Sequence, residues 1–475
     1  MKNWLLGIFT SMIIFLVAGY YGYNYFLDLS YDIVSKKLNI ANTQITMESD
    51  SPFKNIVGDG KKHPLYERFK TKSEAVNQFP FLYSYLNENP DVDWKVLEID
   101  WVVIQNVIEQ TGIDGKVSIP KAIVGYRINR PILLKQGQTI DFSPNTKLFD
   151  YTSDYALKIF GGTKFPDDSL TNVNVNNLDI IGSSSSHGAI KLQNSYLINL
   201  NNIKISNYSG SDVKALFLQD FFQVNLNTIQ INNLQNGIGI YVDAVKGNSG
   251  QLNFINTIVQ RSKIGLHVVG SDNLIDGINF YGGAIGNNYS EGVVVGKNVY
   301  NLNFTGSHFE NHDGKNQRGN TAVKMELSDS KSAESINFIG CAFINNKYSI
   351  KSNNTKRVTV SGNQFDGRNI KGSIAIKQGA GDASWVINTN FFTNNDKNLI
   401  EAGKDHVNLS SISINSNGVL HPQKSIAGIY SGDMDPEGNI AAKTGSIYLR
   451  TDSKAKNHVY VKQSNEGKKG WKPLK

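Results

Sequence analysis

A short segment with the pattern of a β-strand recurs about every 26 residues through the middle of this chain, and this repeat limits the fold more than any other feature. Each copy begins with a small residue, has an aliphatic residue at its second position and usually has another at its fourth, as a half-buried strand requires. The copies are Ala189–Gln193, Ala215–Gln219, Gly239–Asp243, Gly265–Val269, Gly292–Gly296, Ala322–Glu326, Ser349–Asn353 and Ala375–Gly379.

A second family of short strands runs in step with the first. Its members are Leu178–Ile180, Ile203–Ile205, Ile229–Ile231, Leu252–Phe254, Ile278–Phe280, Leu302–Phe304, Ile336–Phe338 and Val358–Val360. Helical repeats would need amphipathic stretches of about 10–15 residues, and a propeller blade needs roughly 40 residues. The two families therefore predict an all-β parallel β-helix of about nine or ten turns between Asn172 and Asn415, stacked roughly 4.8 Å apart.

Asparagine occupies one position in four consecutive turns, as Asn253, Asn279, Asn303 and Asn337. Amides stacked at the spacing of neighbouring strands can hydrogen-bond to one another, so we expect an asparagine ladder. Glycine and asparagine are also frequent between the strands, where corners require left-handed backbone conformations.

The first part of the chain lies outside the repeats. The stretch from Trp4 to Leu27 has no charged residue and exceeds the roughly 20 residues that cross a bilayer as a helix. It predicts a transmembrane anchor, favoured over a cleaved signal segment, and a helix is predicted from Trp94 to Glu109. The predicted regions are an anchor or signal segment (1–30), a linker and helical preamble (31–111), the β-helix (112–418) and a small C-terminal β module (419–475).

Composition excludes several classes of protein. The 475 residues are only 19% charged and include 43 glycines but 11 prolines, unlike collagen, a coiled coil or a Pro-rich disordered chain. The single cysteine, Cys341, excludes an internal disulfide and a cysteine-built zinc or iron–sulfur site. The net charge of +7 is too small to indicate a nucleic-acid partner. We expect neither a cofactor nor a bound metal.

Two parts of the sequence resemble known families. The opening of the pectate-lyase-like superfamily, shared by phage tailspikes and bacterial polysaccharide-active β-helix proteins, resembles Gly58–Gly60, Ile104–Gln105, Gly115–Pro120, Gly125–Ile128 and Pro131–Leu134. A C-terminal module of phage tail and spike proteins is similar to Gly445–Arg450, Val459–Lys462 and Gly470–Trp471. The resemblance implies a right-handed β-helix, a polysaccharide partner and a homotrimer. The catalytic motifs of polygalacturonases are absent, so the resemblance does not assign a reaction.

The third position of the first strand family points outward, and its residues form one column along the β-helix. The column is Lys191, Phe217, Tyr241, His267, Val294, Lys324, Lys351 and Lys377. Exposed rings suit sugar faces, and lysines suit acidic sugars. We therefore expect Phe217, Tyr241, His267, Lys324 and Lys351 to bind a glycan. The alternative is that these residues only stack on each other at a solvated surface.

The fifth position supplies carboxylates. Asp243 precedes His267 by one turn and could orient or charge it, so both are candidate catalytic residues. Glu326 is three turns from Asp243, roughly 14 Å by the turn spacing. That exceeds the ~5–9.5 Å between the carboxylates of a glycosidase, so another acid, for which Glu291 is a candidate, would have to complete the pair.

A second candidate site is the polar segment from Ser307 to Asp313, together with Arg318. A hydrolase could use Glu310 and Asp313 as acid and base. A lyase could use His312 as base, with Arg318 neutralising a uronate carboxylate. The alternative is a solvated polar loop, and metal binding through His308 and His312 is only weakly indicated.

Three functions remain open at this point. The first is a polysaccharide-active lyase or hydrolase of the tailspike or depolymerase type, acting along a groove of the β-helix. The second is a non-catalytic, membrane-anchored glycan-binding or structural surface protein. The third, weaker reading is a polymer-level sugar epimerase. In each case we expect the β-helix outside the cytoplasm, anchored at the periplasm or cell surface or secreted, with a phage or prophage origin open.

Overall fold

The computed structural model describes residues 51–53, 55–312, 319–326, 333–368, 370–379, 381–400, 429–452, 457–464 and 467–474. The predicted membrane segment, Trp4–Leu27, lies outside these ranges. Within them, no helix has both the length and the apolar character needed to cross a bilayer. All elements described below belong to one compact unit, Asn55–Lys475.

Short helices precede the solenoid. They are a 3₁₀ turn at Leu65–Glu67, α1 (Lys72–Gln78), α2 (Phe81–Glu88), a 3₁₀ turn at Trp94–Val96 and α3 (Ile99–Thr111). The N-terminus of α1 is fixed by a capping box between Thr71 and Glu74. The helix predicted at Trp94–Glu109 therefore begins later, at Ile99, after a separate turn in which Asp93 accepts a hydrogen bond from the amide of Lys95.

Helix α3 packs on the first strands of the solenoid, where the first turn has no preceding turn to pair with. Residues Ile99 to Ile108 are all buried. The side-chain amide of Gln105 donates to the carbonyl of Leu133 (3.1 Å) and accepts from its N–H (3.0 Å), so it substitutes for a neighbouring strand. Asp100 accepts from the amides of Val57 (2.8 Å) and Arg127 (3.1 Å). These contacts satisfy backbone groups that an open sheet edge would leave unpaired.

The described strands of the solenoid form one sheet. They are β1 (Lys116–Ile119), β2 (Tyr126–Ile128), β3 (Ile132–Leu133), β4 (Thr139–Phe142), β5 (Lys147–Asp150), β6 (Tyr155–Phe160), β7 (Leu170–Thr171), β8 (Asn174–Asn176), β9 (Asp179–Ile181), β10 (Gly188–Ser206), β11 (Lys214–Asp243), β12 (Ser249–Ile255), β13 (Ile258–Val269), β14 (Ile275–Tyr281), β15 (Ala284–Gly286), β16 (Glu291–Val295), β17 (Val299–Thr305), β18 (His308–Glu310), β19 (Thr321–Glu326), β20 (Ala333–Ile339), β21 (Ala342–Ile344), β22 (Tyr348–Asn353), β23 (Thr355–Ser361), β24 (Gln364–Asp366), β25 (Ile374–Lys377), β26 (Val386–Asn388), β27 (Phe391–Thr393) and β28 (Lys397–Ile400).

Parallel pairing sets each position of one turn beside the same position of the next. One buried position can be followed through the whole solenoid as Val117, Ile140, Val175, Leu200, Leu226, Phe254, Phe280, Phe304, Phe338, Val360 and Ile387. The predicted all-β parallel solenoid of about ten turns is confirmed, and it is of the right-handed type.

Phenylalanine rings stack inside the later turns. Phe280 is stacked on Phe254 with a 4.0 Å centroid distance, and Phe304 on Phe338 at 5.3 Å with rings 2° from parallel. A second stack consists of Phe309, Phe343, Phe365 and Phe392. The first three of these residues each end a Gly-x-x-Phe motif, which begins at Gly306, Gly340 and Gly362. Each buried ring stabilises the solenoid by about 1.5–3 kcal/mol.

The asparagine ladder is present and longer than predicted. Each side-chain Nδ2 donates to the Oδ1 of the asparagine one turn earlier, at 2.7–3.0 Å, through Asn174, Asn199, Asn225, Asn253, Asn279, Asn303 and Asn337. The ladder is partly buried, so an amide that lost its neighbour would be left with an unmet hydrogen bond.

One corner of the solenoid has a residue in the left-handed backbone conformation in successive turns. The residues there have φ between 49° and 68° and are Asn145, Asn177, Asn202, Thr228, Asn256, Gly282, Gly306, Gly340, Gly362 and Thr389. Glycine and asparagine reach this conformation at the least cost, which explains why both residues concentrate between the predicted strands.

The C-terminal residues form a separate four-stranded sheet of β29 (Ile429–Gly432), β30 (Ile447–Arg450), β31 (Val459–Lys462) and β32 (Trp471–Pro473). The pairing of β29 with β30 is parallel, and the other two pairings are antiparallel. Ala442, Tyr448, Tyr460 and Trp471 form its core. The indole Nε1 of Trp471 donates to the carbonyl of Ile440 at 2.8 Å.

Replacing one asparagine of the ladder tests its contribution to stability. In Asn279→Asp the side chain keeps its shape but loses the donor to Asn253, and it places a carboxylate beside a carbonyl oxygen. We expect a loss of about 1–3 kcal/mol in the free energy of unfolding, measured by chemical denaturation followed by circular dichroism. The matched control is Asn236→Asp at an exposed position. Equal losses in the two variants would show that the ladder contributes nothing specific.

Candidate functional site

Outward side chains at one position of successive turns form a surface that we call the lysine–aromatic column. It consists of Lys158, Lys191, Phe217, Tyr241, His267, Val294, Lys324, Lys351 and Lys377, with Lys214 beside it. Strand register pairs these residues from turn to turn. Leu216 and Leu218, on either side of Phe217, are fully buried, so the column lies on the outer face.

The rings of the column meet edge to face. Phe217 and Tyr241 have centroids 5.3 Å apart at 67°, and Tyr241 and His267 have centroids 5.1 Å apart at 89°. Tyr155 adds a further ring, 6.3 Å from Phe217. Alternating edges and faces stabilise the cluster but do not make one flat platform.

Lysine amino groups cover the ring faces. Lys214 Nζ lies 4.6 Å from the centroid of Phe217 and 4.1 Å from that of Tyr241, and Lys191 Nζ lies 5.0 Å from that of Phe217. Phe217 is consequently only 9% exposed. The expectation that Phe217 offers a solvent-facing ring to a sugar does not hold, because these cation–π contacts occupy the ring.

His267 is half-buried beside charges of both signs. Burial lowers the pKa of His267, and the positive charge of Lys214 acts in the same direction, whereas Asp243 and Glu291 oppose the shift. The imidazole is therefore neutral at pH 7 and able to accept a proton.

Asp243 is 6% exposed and is held by backbone amides. Its Oδ1 accepts hydrogen bonds from the N–H groups of Ala244 (2.8 Å) and Ser271 (3.1 Å). Burial raises the pKa of Tyr241 to about 12, and the Asp243 charge adds to this effect. Asp243 thus acts on the column through its electric field, as a fixed negative charge near Tyr241 and His267.

The two ends of the column differ in electrostatics. At one end burial lowers the pKa of Lys191, and the neighbouring charge of Lys158 lowers it further. At the other end Lys324 Nζ forms an ion pair with Glu291 Oε1 at 3.2 Å. Lys351 and Lys377 flank the Tyr348 ring at 5.9 and 5.8 Å. Lys158 Nζ forms an ion pair with Asp154 Oδ2, so the positive charge over the rings of Phe217 and Tyr241 comes from Lys191 and Lys214.

The structure changes the interpretation of the 307–318 segment. His312 is fully buried, its Nδ1 lies 3.1 Å from Asn346 Oδ1, and its Nε2 lies 3.4 Å from Asn288 Nδ2. These partners fit a neutral imidazole in an internal polar ladder. The assignment of His312 as a general base is therefore corrected, because a polymer on the surface cannot reach it.

Glu291 lies beside the column, whereas the acids predicted in the 307–318 segment are not shown to meet it. Glu310 lies with the exposed His308 in β18, which pairs with β15 and β21 on a different face from the column. Asp313 and Arg318 lie outside the described residues, as does the side chain of Glu326. Within the described residues, no group of three or more His, Cys, Asp or Glu side chains is arranged to hold a metal.

The sequence interpretation missed three members of the site. Lys158 lies in Ala156–Phe160, which has the same small–aliphatic–outward–aliphatic pattern as the recognised repeats. Tyr155 comes directly before it. Lys214 precedes the repeat unit Ala215–Gln219 and reaches the rings from outside the five-residue pattern.

Comparisons with known proteins support only the fold. No family model and no curated protein matches the chain. Similar solved structures include the A-module of mannuronan C-5 epimerase AlgE4 of Azotobacter vinelandii, with 13% identity, a TM-score of 0.46 and coverage of 66% of this chain and 96% of that one. They also include the tailspike gp49 of Pseudomonas phage LKA1 (11%, 0.44, 76% and 78%) and the surface adhesin PfbA of Streptococcus pneumoniae (10%, 0.48, 79% and 95%). Function is argued below from this chain's own residues.

The lowered pKa of His267 predicts how stability depends on pH. The unfolded imidazole takes up a proton at a higher pH than the folded one, so stability is full above the unfolded pKa of about 6.5 and is lost on acidification. We expect the fall in melting temperature between about pH 7 and pH 5 to be smaller in His267→Gln than in the wild type. The exposed His187→Gln is the control. An unchanged pH dependence in His267→Gln would contradict the prediction.

Proposed function

We propose that this chain is a polysaccharide-active surface protein whose lysine–aromatic column binds an acidic glycan. The observation that carries the proposal is the placement of Lys191 and Lys214 over the rings of Phe217 and Tyr241 on the outer face of the solenoid. Positive charge beside low-dielectric walls attracts carboxylated sugars. The repeated lysines at Lys324, Lys351 and Lys377 extend this surface along the solenoid, parallel to the direction in which a polymer would lie.

The finer proposal is cleavage by β-elimination. Lys191 and Lys214 would bind the uronate carboxylate and so acidify the C–H bond next to it. Neutral His267 would take that proton, the C–H electrons would form a C=C bond, and the glycosidic C–O bond would break. Tyr241, whose pKa of about 12 keeps it protonated at neutral pH as an ordinary tyrosine would be, would donate a proton to the departing oxygen. Transfer of the proton from His267 back to Tyr241 would restore both residues.

Hydrolysis by a carboxylate pair is less well supported by the same residues. Asp243 is engaged with two backbone amides, and Glu291 is paired with Lys324. A glycosidase needs two carboxyl groups that face the scissile bond, whereas these two are already engaged with other partners.

A non-catalytic glycan-binding protein is the second candidate. The ring of Phe217 favours this non-catalytic candidate. Lys191 and Lys214 cover the ring, and such contacts hold the side chains of the surface in one conformation. Epimerisation would use the same proton abstraction with return of a proton to the other face of the sugar. Four further predictions stay as proposals. They are the homotrimer, the membrane anchor, the location outside the cytoplasm and the division of the chain into regions at residues 30, 111 and 418.

The experiment is to incubate the full-length chain with a panel of acidic and neutral bacterial polysaccharides. The reaction is monitored by measuring polysaccharide chain length and the ultraviolet absorbance of unsaturated sugars. Shortened acidic chains with new absorbance are expected. His267→Ala should lower the rate by about 10²–10⁴-fold while binding persists, and the exposed Tyr281→Phe is the control for Tyr241→Phe.

The other outcomes select among the alternatives. Shortening without absorbance would indicate a hydrolase and contradict the elimination proposal. Unchanged chain length with altered sugar configuration would indicate an epimerase. Retained binding without any product would leave the glycan-binding protein. Absence of binding to every acidic polysaccharide would overturn the proposal as a whole.

A further inference from the structure

A surface cleft that shares no lining residue with the lysine–aromatic column opens at the corner after the column's strands. Its volume is about 620 Å³, and its lining includes Phe165, Asp167, Thr171, Tyr196, Phe222 and Asn248. Three aromatic side chains in one open cleft are an unusual concentration on a surface that is otherwise rich in Asn, Ser and Lys.

The floor of the cleft is formed by two stacked rings. Tyr196 and Phe222 occupy the same position in successive turns, with ring centroids 5.8 Å apart and ring planes only 19° from parallel. Both rings are half-buried. Thr171 precedes Tyr196 in the register and lies next to the stack. This arrangement contrasts with the edge-to-face rings of the column, because here the two rings lie nearly parallel.

The wall of the cleft is already formed. Phe165 rests against Gly247, where an added Cβ would approach the ring to 2.9 Å. Lys246 Nζ donates to the carbonyl of Thr163 at 3.2 Å and so joins the two loops. Buried Asp220 accepts hydrogen bonds from the amides of Val245 (2.7 Å) and Lys246 (2.8 Å). A preformed wall lowers the entropic cost of binding.

The chemistry of the lining selects an uncharged sugar. A half-buried aromatic ring in the lining can pack against the apolar C–H face of a pyranose. The exposed carboxylate of Asp167, followed in the chain by Asp168, repels carboxylated sugars. The amide of Asn248 is fixed in the lining because its Oδ1 accepts from the N–H of Leu274 at 3.1 Å. We propose that this cleft binds a neutral hexopyranose segment, separately from the acidic-glycan surface.

The test uses isothermal titration calorimetry on the full-length chain with three probes: maltohexaose, cellohexaose and chitohexaose. At least one probe is expected to bind. Tyr196→Ala and Phe222→Ala should each weaken that binding about tenfold or more. Phe391→Ala removes a ring that is 63% exposed in a later turn, outside the cleft, and should leave the affinity unchanged. Tyr196→Leu, which keeps apolar volume but removes the flat ring, replaces Tyr196→Ala if that variant does not fold.

A charge variant separates this site from the column. Lys263→Gln, at an exposed position outside the lining of the cleft, should keep the affinity for the neutral probe within about twofold. Lys191→Gln, in the column, should also leave neutral binding unchanged, so failure of the acidic-glycan proposal would not affect this result. The proposal is overturned if none of the three probes binds, or if Tyr196→Leu and Phe222→Ala bind as tightly as the wild type.

Discussion

Parallel backbone hydrogen bonding between successive turns is the constraint on which the other features of this molecule depend. It places residues about 26 positions apart side by side, roughly 4.8 Å from strand to strand, in a fixed register. A residue in one turn can therefore contact a residue of the same type at the same position of the next turn. Asn279 pairs with Asn253 and Asn303, and Phe309 stacks on Phe343. The ends of such a ladder are exposed, which explains why Gln105 imitates a strand at the first turn.

The same register creates the candidate site and its electrostatics. Burial lowers the pKa of Lys191, and the neighbouring positive charge of Lys158 lowers it further, so placing these lysines at one outward position has an energetic cost. Aromatic rings relieve part of this cost, because amino groups lie over the faces of Phe217 and Tyr241. The result is a surface on which amino groups lie over aromatic rings beside the half-buried imidazole of His267. A ligand that supplies carboxylates would lower the remaining repulsion between the lysines, which is the physical basis of the proposed affinity for an acidic polymer.

Much of the fold could be predicted because the same sequence pattern recurs in successive turns of a solenoid. Small residues before inward aliphatics, the asparagine position and the Gly-x-x-Phe motifs each recur, so a single error does not change the result. The site was harder to predict. Side chains such as Lys214 reach the rings from outside the repeat unit, and the loop after Phe160 interrupts the period before the first recognised turn. The role of His312 depends on whether its side chain faces inward. The sequence alone does not distinguish a buried polar residue of a solenoid from an exposed one, whereas the structure places Asn288 and Asn346 beside His312.

The column's affinity for a carboxylated oligosaccharide is the most direct measure of the central claim. Oligogalacturonate binding would be followed at two ionic strengths for the wild type, for Lys191→Gln with Lys214→Gln, and for Lys263→Gln with Lys356→Gln, which removes equal charge at exposed positions elsewhere. Binding that weakens with salt in the wild type, is lost in the first double variant and persists in the second is the predicted result. Equal binding by the two double variants would mean that net charge attracts the glycan and that the column does not bind it.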